Sequence, residues 1–253
     1  MIESVTKFAD PYDRQARLYP ALLVLAPVVL VLLCFYAPHA SMLTNAALVL
    51  IACGVLFWLA NLARDCGKKQ EAKLFSKWGG KPSTQLLRHR DNTIDPVTKQ
   101  RYHAVLSDGM RIAFPTAEEE RDQPDRADHL YESATRWMLE QTRDSSRFSL
   151  LLSENIAYGF RRNMLGVKYI GVFVAASACG WAVIRSITVL PAQSPSFALQ
   201  VLDLPAQNAI AIAGCLLLVF MWVVGTTKDR VQTAAFAYAT RLLSACDQFT
   251  KNG

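Results

Sequence analysis

The stretch 208–226, NAIAIAGCLLLVFMWVVGT, is apolar almost throughout and contains no Asp, Glu, Lys or Arg. A bilayer core about 30 Å thick needs roughly 20 such residues in an α-helix. Three further blocks of that length occur in the 253-residue chain, at 18–37, 43–63 and 165–190. Charge enters only the block 165–190, through Lys168 and Arg185 near its ends, where long side chains reach the lipid headgroups. The sequence therefore predicts an all-α membrane protein with four transmembrane helices in two hairpins.

The distribution of basic residues predicts the orientation of these spans. Of the 27 Lys and Arg residues, eighteen lie between 64 and 164, whereas the short segments 38–42 and 191–207 carry none. Because basic segments stay on the cytoplasmic side, both termini and the segment 64–164 are predicted to be cytoplasmic, in a bacterial inner membrane. The predicted parts are a tail, a hairpin, a basic cytosolic helical domain, a second hairpin and a second tail, at 1–17, 18–63, 64–164, 165–226 and 227–253.

The insert between the hairpins has the start and stop signals of helices. The second span is expected to continue as a charged helix that ends at Gly79-Gly80, since glycine commonly ends helices. Asp95 followed by proline predicts a helix start, and Thr116 with Glu119 has the spacing of a capping box. Apolar residues then recur at helical spacing over 127–143. The tetrapeptide RIAF at 111–114 is compatible with a short strand.

The segment before the third span has two interpretations. Leu152, Ile156 and Phe160 lie four residues apart, which gives one apolar face on a helix over 148–164. That helix either lies at the membrane interface or packs inside the insert. Four basic residues are predicted to mark the membrane boundary: Arg161, Arg162, Lys168 and Arg185.

A basic cluster runs from Lys68 to Arg101 and surrounds the motif RHRD at 88–91. One interpretation is attraction to anionic lipid in the cytoplasmic leaflet, at about 1 kcal/mol per charge. The other is a pocket for a phosphate-bearing ligand, because arginine forks match phosphate oxygens. The predicted ligand-binding residues are Arg88, His89, Arg90, Lys99, Arg101 and His103.

The motifs of common enzymes and metal sites are absent from the sequence. His89–Asp91 reads HRD, but a kinase catalytic loop needs Asn five residues after the Asp, and Pro96 stands there. Neither a GxSxG nor a GxxxxGK[ST] motif occurs. HExxH and CxxC motifs are also missing, so no catalytic residue, metal ligand or cofactor is predicted. Nothing indicates nucleic acid as a partner.

Small residues in the third span predict close helix packing. Gly171, Ala175 and Cys179 are four residues apart, as are Ala176 and Gly180, and small side chains at this spacing let helices approach closely. The packing is expected within the chain or between copies of a homo-oligomer. A charge at mid-depth, which ion-coupled transporters usually need, occurs in none of the spans.

The layout of two spans, a basic insert and two spans is similar in plan to small bacterial membrane effectors of antiphage defence. This analogy of architecture predicts an oligomeric inner-membrane effector or channel whose cytosolic domain senses an intracellular signal, such as a nucleotide, or a partner protein. Two alternatives are open. One is a non-conducting anchor or scaffold that recruits a soluble partner enzyme, and the other is a membrane enzyme with an unrecognised site. The expected partners are membrane lipids, further copies of the chain, and a cytosolic protein or anionic small molecule.

Overall fold

The computed structural model describes residues 10–36, 42–188 and 204–249, without the side chains at 42–48 and 50. Every regular element within these residues is helical, which confirms the all-α prediction. The chain divides into two compact units. The apolar unit is drawn from Met1–Gln70 and Phe160–Thr227, and the polar unit from Glu71–Gly159 and Lys228–Gly253.

The apolar unit contains the helices that are suited to a bilayer. A short π-helix, Asp13–Leu18, precedes the first of five helices that lie wholly or partly in this unit; the second contributes its beginning and the third its end. These helices are α1 (Tyr19–Phe35), α2 (Met42–Trp78), α7 (Ser149–Gly166), α8 (Lys168–Ile187) and α9 (Ala206–Gly225). Three segments are long and apolar enough to cross a membrane: Asp13–Phe35, Lys168–Ile187 and Ala206–Gly225.

These three segments coincide with the first, third and fourth predicted spans. The second predicted span, 43–63, forms the beginning of α2, and several of its side chains lie outside the described residues. The predictions for 38–41 and 191–203 also fall outside them. Within the described residues, the structure therefore contains three helices that are long and apolar enough to span a membrane.

Helix α8 packs against α1 and α9 through its small residues. Its buried positions are Gly171, Ala175, Ala178, Ala182 and Ser186. Of the predicted row, Gly171 and Ala175 are buried, but Cys179 is only half-buried. The helical period of 3.6 residues places Ala178 in the buried position instead. Ala176 and Gly180 face outward, and no atom lies within 4 Å of the position that a Cβ on Gly180 would take.

The helix predicted to begin at 165 is interrupted. α7 ends at Gly166 and α8 begins at Lys168, with Val167 in a non-helical conformation between them. The Nζ of Lys168 donates to the carbonyl oxygens of Val223 at 3.0 Å and Thr226 at 2.7 Å. Lys168, predicted to reach toward the headgroups, therefore satisfies carbonyls at the C-terminal end of α9, where a cation is electrostatically favoured.

The polar unit is built from short helices whose ends follow the predicted signals. They are α3 (Pro82–Leu87), α4 (Pro96–Met110), α5 (Ala117–Asp122), α6 (Pro124–Gln141), α10 (Lys228–Ser244) and α11 (Cys246–Phe249), with the ends of α2 and α7. The side chain of Asp95 accepts from the N–H of Thr98 at 2.8 Å, and both bonds of the Thr116–Glu119 capping box are present. Helix α2 ends at Trp78, and Gly79 and Gly80 have φ of 82° and 128°, a region that favours glycine.

The core of the polar unit includes the C-terminal segment. Tyr131 and Met138 of α6 and Leu106 of α4 are fully buried with residues of α10 and α11: Ala239, Leu242, Leu243 and Cys246. The prediction treated 227–253 as a separate tail, whereas Lys228–Phe249 belongs to the same unit as 71–159.

The short strand considered for RIAF at 111–114 is wrong. Within the described residues this segment has no strand pairing, because its backbone caps the end of α4. The N–H of Ile112 donates to the carbonyl of Ser107 at 3.1 Å, and the hydroxyl of Ser107 donates to the carbonyl of Ile112 at 2.8 Å. Arg111 adopts φ 56°, the left-handed conformation that closes a helix.

Candidate functional site

The RHRD segment, where ligand binding was predicted, is held by ion pairs with neighbouring helices. Arg88 donates to both carboxylate oxygens of Asp128 in α6, from Nε at 2.8 Å and from Nη2 at 2.6 Å. Its side chain is only 11% exposed, and the hydrogen bond to Asp128 raises the pKa of Arg88. Arg101 pairs separately with Asp247 in α11, at 2.9 Å and on a more exposed surface.

Lys99 closes the turn that follows Arg88. Its Nζ donates to the backbone carbonyl of Arg88 at 2.6 Å and to that of Asp91. The residue is 5% exposed, and this burial lowers the pKa of Lys99 while the nearby carboxylate of Asp91 opposes the change. The ammonium group is therefore used to fix the backbone of 88–91.

His103 lies at the centre of an aromatic cluster. Its Nε2 bonds to the carbonyl of Leu87 at 2.8 Å, and its ring stacks on Tyr131 with a centroid separation of 5.7 Å. The rings of His89 and Phe114 meet it edge-on, at 4.9 Å and 5.1 Å. Burial lowers the pKa of His103 to about 4, so the ring is neutral at neutral pH. The bond to Leu87 therefore requires the proton on Nε2.

Glu120 joins this cluster from α5 and was not singled out in the sequence. It is 5% exposed, and its Oε2 accepts from the backbone N–H of His89 at 2.7 Å and from the hydroxyl of Tyr131 at 2.8 Å. Burial, followed by this hydrogen bond, raises the pKa of Tyr131. The sequence signal is weak, because Glu120 is the last of three consecutive glutamates.

The structure thus brings four of the six predicted ligand residues into one hydrogen-bonded and aromatic network: Arg88, His89, Lys99 and His103. Arg101 lies in a separate ion pair, and Arg90 is exposed. The network bonds are made to Asp128, Glu120 and backbone carbonyls of the same unit. They account for how a polar segment with two arginines folds against a packed core.

Two adjoining cavities open on the other face of the same unit. They measure about 190 Å³ and 200 Å³ and share Leu139 and Tyr238. The first is also lined by Phe75, Pro82, Tyr158, Ala235 and Leu242, and the second by Phe148, Leu151, Leu152 and Asn155. We call this pair the Leu139–Tyr238 groove.

The groove is mostly apolar, and its charged side chains are paired. The rings of Tyr158 and Tyr238 are stacked, 6.1 Å apart and within 6° of parallel, and the hydroxyl of Tyr158 donates to Glu71. Two further charged residues, Lys81 and Arg143, line the cavities. Lys81 bonds Glu132 at 2.8 Å, and Arg143 bonds Glu140 at 2.7 Å. An apolar, aromatic-lined concavity with a charged rim is typical of a recognition surface.

The sequence pattern pointed to one edge of this groove only. Leu152 was predicted as part of an apolar row, and it lines the second cavity. Tyr158 and Tyr238 were missed, since they lie 80 residues apart in sequence and neither has a motif around it. The aromatic residues of 228–249 alone would have shown that this segment has an apolar face.

The predicted membrane-interface residues differ in exposure. Arg161 and Arg185 are exposed, whereas Arg162 is 8% exposed and its Nε donates to Oδ1 of Asn163 at 3.2 Å. Within the described ranges, no group of three His, Cys, Asp or Glu side chains is placed to hold a metal ion. No family model, curated protein or solved structure matches this chain.

Proposed function

We propose that the chain is a multi-pass membrane anchor whose polar unit docks an apolar segment of a partner protein. The observation that carries this proposal is the Leu139–Tyr238 groove. Leu139 is 40% exposed, and Tyr238 lines the same cavity. A partner segment in the groove would therefore contact an apolar side chain and an aromatic ring. Aromatic anchors in such concavities contribute most of the binding energy in many protein interfaces.

The groove suits a protein segment better than a charged small molecule. The charged side chains along it already bond one another, so a charged ligand would have to displace an ion pair. An apolar side chain of a partner would instead bury against Leu139 and the tyrosines, while polar side chains such as Asn155 and Thr135 contact its backbone.

The proposed anchor has four spans, with both termini and the polar unit in the cytoplasm of a bacterium. Three apolar helices of spanning length support it, together with the apolar block 43–63 inside α2. The alternation of basic and non-basic segments supports the orientation. A reporter domain fused after Gly253 is expected to read as cytoplasmic.

A single copy has the packing of an anchor. Where α1, α8 and α9 meet, the described buried side chains are mainly small or apolar, including Val24, Ala175, Ala182, Cys215 and Trp222. The buried hydroxyl of Ser186 donates to the carbonyl of Ala182 in its own helix. This packing supports an anchor in preference to a pore within one copy.

The docking proposal is tested by site-specific photo-crosslinking in intact cells. A crosslinker at Leu139 is expected to give a discrete protein adduct, whereas one at Val97, an apolar residue that is 74% exposed outside the groove, gives none. Tyr238→Ala, combined with the probe at Leu139, is expected to abolish the adduct. Equal labelling from both positions, or an adduct indifferent to Tyr238→Ala, would overturn the proposal.

A second candidate is an oligomeric effector or channel, which includes the role in antiphage defence suggested by the layout. Ala176 and Gly180 favour it, since this outward-facing pair of small residues on α8 offers a second copy a close approach. Purified protein in liposomes is expected to leave an ion gradient intact if the chain is an anchor. Ion flux that Gly180→Leu abolishes would establish the oligomeric channel instead.

A further inference from the structure

Helices α2 and α7 touch backbone to backbone inside the apolar unit. A Cβ on Gly166 would lie 2.4 Å from the backbone nitrogen of Gly67, and a Cβ on Gly67 would lie 2.3 Å from Oδ1 of Asn163. Glycine is therefore required at position 166, and a side chain at position 67 would displace the amide of Asn163. This crossing directly follows the uncharged block 46–63 of α2 and precedes α8, so it marks one end of the apolar helices.

The crossing is polar although it is buried. Asn163 is 0% exposed, and its Nδ2 donates to the carbonyl of Ala16 at 2.7 Å. That carbonyl would bond the N–H four residues later in a regular helix, but Pro20 has none. Arg162, also buried, donates from Nε to the amide oxygen of Asn163. The interior here accommodates charge and hydrogen-bonding groups next to an apolar block.

Arg64 lies one helical turn before Gly67, next to the buried residues Ala60 and Ala63. It is partly buried, and its Nε is shielded from solvent without a hydrogen-bond partner in the structure. A guanidinium keeps its charge at any physiological pH and has five donors to satisfy. An unsatisfied buried donor on a charged group costs more free energy than one on a neutral group.

Among the described residues of the apolar unit, no carboxylate forms an ion pair with Arg64. Asp13 bonds Arg17 at 2.7 Å, and Asp65 is exposed. Around this end of the helices the described acids are Asp10, Asp13 and Asp65. The described bases are Arg14, Arg17, Arg64, Lys68, Lys69, Arg161, Arg162 and Lys168. The described bases outnumber the described acids around this end, which favours the binding of an anion.

We propose that Arg64 binds the phosphate of an anionic phospholipid headgroup beside the α2–α7 crossing. The inference rests on the membrane placement proposed above. Arg64 is the first charged residue after the apolar block, which puts its guanidinium at headgroup depth when that block spans the bilayer. Arginine matches phosphate oxygens with two parallel N–H donors. The exposed side chains of Phe57 and Trp58, earlier in α2, offer an apolar surface to the lipid chains.

The experiment uses the full chain, purified in a neutral detergent and stripped of lipid. Phosphatidylglycerol is expected to raise the Tm of the wild type, and zwitterionic phosphatidylcholine to raise it by less than half as much. The matched control is Lys69→Gln, which removes one exposed positive charge from the same helix and keeps the response. Arg64→Gln is expected to lose most of the response. Arg64→Lys retains the charge without the fork and is expected to respond at an intermediate level.

Each other outcome decides against the site. A rise in Tm with inorganic phosphate equal to that with phosphatidylglycerol would show that the site binds a free anion and not a lipid. Equal losses in Arg64→Gln and Lys69→Gln would reduce the effect to general charge attraction. If Arg64→Gln does not fold, Arg64→Lys takes its place in the experiment. The site would then be overturned if Arg64→Lys responded like the wild type and phosphatidylcholine raised the Tm as much as phosphatidylglycerol. Alkaline carbonate washing of cell membranes checks the placement separately, because only failure of the membrane proposal would release the protein into the soluble fraction.

Discussion

Gly171 of α8 lies directly against the indole of Trp222 in α9, so close that a Cβ at position 171 would sit 2.2 Å from the ring. Trp222 is 2% exposed. One turn earlier in α8, Lys168 bonds the terminal carbonyls of α9. Two neighbouring turns of α8 therefore fix the C-terminal end of α9, one by shape and the other by charge.

Gly171→Ala is expected to destabilise the apolar unit. The added methyl group has to displace an indole that is packed on all sides, and overpacking of this kind typically costs about 1–3 kcal/mol. The measurement is the Tm of the purified variant in a mild detergent. The matched control is Gly180→Ala in the same helix, where nothing lies within 4 Å of the new Cβ. The control is expected to hold or raise the Tm, because alanine favours helix over glycine by about 1 kcal/mol. Equal effects of the two variants would contradict the packing role of Gly171.

The Arg88–Asp128 pair is expected to stabilise the polar unit more than the other ion pairs described. Arg88 is nearly buried and bonds both carboxylate oxygens, and a hydrogen bond to a charged group contributes about 1.5–3 kcal/mol. A double-mutant cycle with Arg88→Met and Asp128→Asn measures this coupling by chemical unfolding. The same cycle on Lys81 and Glu132, which are more exposed, is expected to give about 0.2–1 kcal/mol.

The Arg88 cycle also bears on the ligand prediction for RHRD. If Arg88 acts through the fold, Arg88→Met lowers activity and stability together, and Asp128→Asn does the same. A variant Arg88→Met that keeps full stability but loses activity would instead indicate that the guanidinium contacts a ligand. Arg90→Gln is the companion variant, because Arg90 is exposed and its loss is expected to leave stability unchanged.

Local signals in the sequence were sufficient for helix ends and apolar blocks. Asp95-Pro96, Thr116 with Glu119, and Gly79-Gly80 each act through bonds or conformations within a few residues, and each is confirmed. The break at Val167 was not foreseen, and neither was the contact that the next residue makes. Lys168 bonds α9, more than 50 residues away, and no local pattern encodes that contact.

The candidate site was harder to predict for the same reason. Basic residues near RHRD suggested a ligand pocket, yet their partners Asp128, Glu120 and Asp247 lie 31 to 146 residues away in sequence. The groove depends on α10 packing in the unit that contains α6 and α7. The segment 228–249 was interpreted as part of a tail, although its apolar residues recur at helical spacing.

The topology prediction follows from charge alone. A reporter domain inserted near Gln123 is expected to read as cytoplasmic, and one inserted near Ser194 as periplasmic. The segment from 64 to 164 carries eighteen basic residues and 191–207 carries none, and basic segments resist translocation. Accessibility of introduced cysteines to a membrane-impermeant reagent checks the same point without a fusion. A periplasmic signal from position 123 would remove the basis for docking a cytosolic partner.

The stability of the polar unit is expected to fall as pH is lowered from about 6.5 to 4. His103 is buried, which lowers its pKa to about 4. The nearby His89 and Lys99 also lower this pKa, and Glu120 partly offsets them. The unfolded chain binds the proton with a pKa near 6.5, so acid favours the unfolded state throughout this interval. Above pH 6.5 the contribution is complete, and by pH 4 about 3 kcal/mol of it is lost.

His103→Gln tests this dependence, because glutamine does not titrate and its amide can donate to the carbonyl of Leu87. The free energy of unfolding is measured in urea at pH 7 and pH 5 for the wild type, for His103→Gln and for the control His129→Gln, whose histidine is exposed on α6. The wild type and His129→Gln are expected to lose about 2 kcal/mol between the two pH values through this group. In His103→Gln that part of the loss disappears. A variant that keeps the full wild-type loss would show that other groups, such as Glu120, set the acid sensitivity.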